Sequence, residues 1–201
     1  MSRLLLIRHG NTKLNSAERF WGQTDVELSA TGVRQAEQLR DRLAAQKIDV
    51  VYSSNLQRAS VTAEIIVSSH QLEIITCAEL GEIHFGKLEG LTFKEISQMY
   101  PELAESWPMR TLDFRFPDGE SIGELNNRVI KFLDRLGKHA SEETVLIVAH
   151  SGLLRLLICH LLRIEPWHWR QLRTDLASLS ILETYPQGAI LSLLNDVSHL
   201  R

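Results

Sequence analysis

The chain has only two cysteines and no basic excess: 22 Lys and Arg against 25 Asp and Glu leave a net charge of -3. Cys77 and Cys159 lie far apart, which fits neither a paired-cysteine metal site nor a secreted disulfide framework, so a reduced, cytoplasmic setting is expected. General binding of nucleic acid or of an anionic membrane needs a concentrated basic surface, and this balance argues against both partners. Any preference for anions must be local. No apolar stretch approaches a membrane span, and the run Leu4-Leu5-Leu6-Ile7 is interrupted at Arg8, too soon for a signal peptide. Repeats and linkers are missing as well. With 44% apolar residues, 201 positions read as one domain over 1–201, able to bury a core without disulfide or metal.

What is present alternates apolar runs with amphipathic segments. Residues 4–7 read as a buried strand. Ser29 caps a predicted helix to about Lys47, with Val33, Ala36, Leu39, Leu43 and Ala44 on one face. Ile48 to Tyr52 reads as a strand that ends at Ser53-Ser54-Asn55, where a helix carrying Arg58, Ala63 and Ile66 opens. Leu72 to Thr76 is a further short strand. From Glu79 to about Glu120 the pattern loosens into Gly, Pro and aromatic residues around one short helix at Thr92 to Tyr100, as expected of a lid-like excursion. Ser121 and Glu124 make a capping box for a helix bearing Leu125, Val129, Phe132, Leu133 and Leu136. Thr144 to Ala149 is a central strand, followed by His150-Ser151-Gly152 and an apolar helix from Leu153 to Leu162. Ser178 to Thr184 and Ala189 to Asn195, joined through Tyr185-Pro186-Gln187-Gly188, read as an edge hairpin.

Two histidines share one description. His9 and His150 each follow a buried strand and precede small residues, and a parallel sheet would bring both to the rim where such sheets bind ligands. Arg58, opening a helix just past another strand, points to the same rim. Phosphate suits this assembly, because guanidinium forks match its oxygens and helix-start N–H groups add donors. Glu82 supplies a carboxylate from the irregular segment. The eight histidines show no metal-ligand spacing. Taken singly, each residue has a structural reading: Arg58 as a solvated helix charge, Glu82 as a loop carboxylate, Glu120 as an anion complementing a helix dipole, and Trp167-His168-Trp169 as core or interface. His84, two residues from Glu82, is within range of the site on spacing alone.

As a set the motifs resemble the histidine phosphatase superfamily, the phosphoglycerate mutase-like group. They run in order: Arg8-His9-Gly10-Asn11-Thr12 with Asn15, then Gly22, Asp25, Leu28, Thr31 and Gly32; Ser53 through Ala59; Leu80-Gly81-Glu82-Ile83; Phe85 through Gly90; Pro117-Asp118-Gly119-Glu120-Ser121; and Val148-Ala149-His150-Ser151-Gly152. Asn11 departs from the family, where an acidic residue is common. The alternation and the resemblance together imply an α/β fold: a three-layer α/β/α sandwich with a mostly parallel central sheet, an antiparallel edge strand and helices on both faces.

The resemblance implies roles for these residues. His9 is the nucleophile that becomes a phosphohistidine, and Arg8, Arg58 and His150 hold the phosphoryl oxygens. Glu82 donates a proton to the leaving oxygen and later accepts one from water. Thr12, Asn15, Gln23, Ser151 and Gly152 contact substrate. No metal and no cofactor are implied. Residues 82–93 and 116–121 resemble the bacterial α-ribazole phosphatases of cobalamin nucleotide-loop assembly, which makes α-ribazole 5′-phosphate the leading substrate. A broad-specificity sugar-phosphate or phosphoglycerate phosphatase, or a phosphoglycerate mutase, is the alternative, and a non-catalytic phosphate-ester binder is the reading from another class. Trp107, Met109, Phe114 and Phe116 are candidates for an apolar lid over a flat base. The expected partner is a small-molecule phosphate ester, and the expected state is a monomer or homodimer.

Overall fold

In a computed structural model of the chain, which describes residues 2–14, 19–107, 111–139 and 142–201, six strands form one sheet in the order β3-β2-β4-β1-β5-β6. The strands are β1 (Ser2–Arg8), β2 (Val50–Ser54), β3 (Ile74–Cys77), β4 (Thr144–Ala149), β5 (Leu179–Tyr185) and β6 (Gly188–Asp196). The first four in that spatial order are parallel, and the β5–β6 hairpin adds the antiparallel side of the sheet. Six helices accompany them: α1 (Ala30–Leu43), α2 (Gln57–Val67), α3 (Phe93–Met99), α4 (Pro101–Ser106), α5 (Ile122–Leu136) and α6 (Ser151–Leu162).

Strand periodicity sorts the core into two layers. In β1, Leu5 and Ile7 point to the face packed by α1 and α2, through Leu39, Leu43, Ala59, Ala63 and Ile66. Leu4 and Leu6 point to the other face, where α5 and α6 contribute Leu125, Val129, Phe132, Leu154 and Ile158. β4 lies between β1 and β2 and all six of its residues are buried, which is why its sequence is a continuous apolar run rather than an alternating one. This gives the three-layer sandwich expected from the sequence. Parallel pairing aligns Arg8 with Ala149 and Ser53 with Val148, so the chain leaves β1, β2 and β4 at a common rim.

Several boundaries differ from the sequence reading. α1 ends at Leu43 rather than Lys47, in a turn closed by the Gln46 N–H on the Leu43 carbonyl at 2.8 Å. Ser53 and Ser54 continue β2 instead of ending it, and both are fully buried. Their hydroxyls make burial possible: Ser53 Oγ donates to the Ser54 carbonyl at 3.0 Å, and Ser54 Oγ accepts from the Leu56 N–H at 3.3 Å. α6 starts at Ser151, directly after His150. The irregular segment holds a second short helix, α4, which Pro101 opens at its first turn, where proline's missing N–H costs nothing. That segment closes over the sheet rim through a tight crossing at Gly86. Its φ of +57° and the 2.0 Å from a built Cβ to the Pro117 carbonyl leave room for no side chain.

Phe132 is 1% exposed and meets Tyr52 edge-on at 5.4 Å, whereas Ile190 on β6 is 55% exposed. Phe132→Ala is expected to destabilise the fold by about 3–5 kcal/mol, and Ile190→Ser by no more than about 0.5 kcal/mol. Urea unfolding of the two variants checks the contrast.

Candidate active site

His9 is the first residue past β1, pinned by its N–H on the Ala149 carbonyl at 3.1 Å. Its Nδ1 lies 2.8 Å from the Gly10 carbonyl; a carbonyl only accepts, so Nδ1 carries the proton and the lone pair is left on Nε2. Burial, reinforced by the Arg8 and Arg58 cations, holds the imidazole well below its ordinary pKa. His9 is therefore neutral.

Arg8 donates through Nη1 to the Thr174 carbonyl at 2.8 Å, and its burial brings the guanidinium pKa down to about 10 against the opposing pull of Glu82. Arg58, in the first turn of α2, is 2% exposed. Its Nη1 and Nη2 donate to the carbonyls of Thr24 at 2.9 Å and Gly22 at 2.6 Å, and Nε donates to His150 Nδ1 at 3.3 Å. The loop that supplies those carbonyls is held in turn. Glu89 accepts from the N–H groups of Gln23 and Thr24, each at 2.8 Å. Asp25 accepts from the Gln57 N–H at 2.8 Å, capping α2 from outside the helix, since Leu56 offers no side-chain cap.

His150 is fully buried, 5.1 Å from the His9 ring centroid, and neutral, because burial, together with the nearby Arg58, depresses its pKa strongly. Accepting from Arg58 on Nδ1, it donates from Nε2 to Ser54 Oγ at 2.9 Å. Glu82 has one carboxylate oxygen on the Ile83 N–H at 3.0 Å and the other on the Gly152 N–H at 3.2 Å, at the start of α6. A Cβ on Gly152 would stand 2.7 Å from Glu82 Oε1.

These groups surround one cavity of about 260 Å³. Of the residues expected to form the site, Arg8, His9, Thr12, Arg58, Glu82, Ser151 and Gly152 line it. His150 and Gln23 do not. His150 stands behind Arg58, and Gln23 turns its Nε2 to the Glu82 carbonyl at 2.5 Å, so it supports Glu82 from outside the cavity. Asn15 and Met109 lie outside the described residues. Phe116 and Trp107 line the cavity with Phe20 and Phe85, while Phe114 packs against Phe116 at 5.2 Å and forms no part of the wall. His84 is exposed beside Glu89.

Sequence reasoning passed over Arg128 and Arg155 and read Trp169 as core or interface. Arg128 on α5 donates to the carbonyls of Glu79 and Gly81 at 2.8 Å and of Glu82 at 3.2 Å, while gripping both carboxylate oxygens of Glu120. Glu120 is thus the partner of a half-buried arginine, and Glu124 fills the capping role. Arg155 and Trp169 both line the cavity. Arg155 was legible in principle, four residues past Ser151 on one helical face. Among the described residues no cluster of His, Cys, Asp or Glu is arranged to hold a metal ion, and no helix is long and apolar enough to cross a membrane.

The model of the histidine phosphatase superfamily, branch 1, matches residues 4–197. Phosphoserine phosphatase 1 of Hydrogenobacter thermophilus is 32% identical over 200 residues, covering all of this chain and 95% of that protein. A metal-independent phosphoserine phosphatase of Arabidopsis thaliana is also 32% identical, over all of this chain and 84% of its own length. The crystal structure of the α-ribazole phosphatase from Shigella flexneri superposes with a TM-score of 0.88 at 32% identity, covering 96% of each chain. With a neutral histidine, a buried and a half-buried arginine and a carboxylate gathered at one rim, and a family match along nearly the whole length, the chain belongs to the histidine phosphatase superfamily and is a phosphate-ester hydrolase of that kind.

Proposed function

We propose that the chain hydrolyses small acidic phosphate monoesters, of the phosphoserine and phosphoglycerate kind, through a phosphohistidine on His9. The observation that carries this reading is the neutral His9 with its lone pair on Nε2, lining a cavity shared with Arg8, Arg58 and Glu82. Nε2 attacks phosphorus in line, the P–N bond forms as the ester P–O bond breaks, and protonated Glu82 gives its proton to the leaving oxygen. Water then attacks phosphorus, Glu82 takes a proton from it, the P–N bond breaks and inorganic phosphate leaves.

Of Arg58's five N–H donors three are used inside the protein, so two remain to meet phosphoryl oxygens. Arg8 and the N–H groups at the start of α6 meet the rest of the developing charge. His150, expected on a phosphoryl oxygen, acts in this arrangement through Arg58, whose plane it fixes.

The two phosphoserine phosphatases similar along this whole chain support the small-ester reading. A second reading, α-ribazole 5′-phosphate, draws on the aromatic wall of Phe20, Phe85, Trp107 and Phe116 and on the likeness to the Shigella enzyme.

Phosphate release from p-nitrophenyl phosphate is expected without added metal and in the presence of chelator, and His9→Ala is expected to lower it by at least about 10³-fold. Undiminished turnover in His9→Ala overturns the nucleophile assignment. kcat/KM compared across phosphoserine, 3-phosphoglycerate and α-ribazole phosphate decides the leaving group, and formation of 2-phosphoglycerate faster than free phosphate would identify a mutase. Gly152→Ala is expected to cut kcat by about 10²-fold by displacing the Glu82 carboxylate, with KM little changed. The depressed pKa values of His9 and His150 also set a sign for stability. Below pH 6.5 the unfolded chain binds protons on these imidazoles that the folded chain refuses, so stability falls as pH drops through that value. The urea midpoint is expected to be lower at pH 5.5 than at pH 7.5, with a smaller difference in His150→Asn.

A further inference from the structure

The cavity carries donors that the phosphoryl chemistry does not use. Arg155 Nε and Trp169 Nε1 are buried and, among the described residues, have no hydrogen-bond partner. Both side chains line the same cavity as His9. Trp169 itself is 8% exposed, so water does not substitute for the missing acceptor along most of its surface. Leaving a buried donor unsatisfied costs about 1–3 kcal/mol, and more for a charged group. Two such donors at one cavity wall mark a place where an acceptor belongs.

The nearby carboxylates are already committed. Both oxygens of Glu82 accept backbone N–H groups, from Ile83 and Gly152. Asp175 accepts from Arg173 Nε at 2.9 Å and from Asn195 Nδ2 at 2.9 Å. Arg155 forms no ion pair among the described residues, in contrast to Arg19, the other arginine of the outer wall, which is held by Glu95 at 2.8 Å. Arg155 also follows Ser151 by one helical turn on α6, so it extends the same lined face beyond the N–H groups that meet the phosphoryl oxygens.

We infer that Arg155 and Trp169 form a second anion subsite, which takes a carboxylate on the leaving group of the ester and sets selectivity for acidic substrates. The inference rests on the phosphatase reading above and names the residues that select the acidic leaving group. A carboxylate fits better than an aromatic ring, because N–H donors need in-plane acceptors and a guanidinium meets two carboxylate oxygens at once.

The test compares matched esters that differ only in this group: phosphoserine with phosphoethanolamine, and 3-phosphoglycerate with glycerol 3-phosphate. In the wild-type enzyme kcat/KM is expected to favour the carboxylate member of each pair by about 10–100-fold. Arg155→Gln is expected to reduce that ratio to near one, mainly through KM; Arg155→Lys recovers part of it, and Trp169→Phe, which removes only the N–H, lowers it severalfold. Should Arg155→Gln unfold, the Lys and Phe variants carry the same comparison. An equal loss on both members of each pair, or an unchanged ratio in all variants, overturns the subsite. Wild-type turnover of p-nitrophenyl phosphate without preference for either carboxylate ester overturns it as well and leaves the phosphatase reading standing. No turnover of any ester overturns that reading instead.

Discussion

The burial of Arg58 is the constraint on which the site depends. A guanidinium taken almost wholly out of water must keep its donors occupied, or the charge is too costly to hold there. The fold meets this with the Gly22 and Thr24 carbonyls and the ring of His150. Meeting it fixes much else. The 22–25 loop must stay in place, which the Glu89 and Asp25 carboxylates ensure, and His150 must be the tautomer that accepts on Nδ1. Geometry around one cation thus ties together β2, α2, β4 and a loop distant in sequence.

A net charge of -3 conceals this local balance. Among the described residues Arg8, Arg58, Arg155 and Arg19 line the cavity with Glu82 as the one carboxylate, so the lining is cationic although the chain as a whole is not. Such an arrangement disfavours protonation of His9 and attracts a phosphate ester without making the protein a general polyanion binder.

The sheet, the two-faced core and the histidine-bearing rim were legible because each is written in local pattern: the nearly all-apolar run of β4, the short aliphatic run of β1, the capping box before α5. Ser53 and Ser54 misled because two serines usually mark a strand's end; here the Ser54 carbonyl absorbs the Ser53 hydroxyl and the distant His150 absorbs the Ser54 one. α4 was hidden by its brevity and by a proline that breaks a helix anywhere but its first turn. The roles of Arg128 and Trp169 were hidden for a different reason, and Arg155 was marked only by its spacing from Ser151. Their roles follow from carbonyls and cavity walls that come together only on folding, and an arginine on a helix carries no local mark of what it will face.

Glu82 rests with one carboxylate oxygen on the Gly152 N–H, at the amino-terminal end of α6. That is the kind of position a phosphoryl oxygen also seeks. The carboxylate serves as counter-anion to Arg8, Arg58 and Arg155, favouring the charged form of each. On the proposed mechanism an ester meets cations whose positions are already balanced, and the carboxyl that balances them is the one that gives its proton to the leaving oxygen.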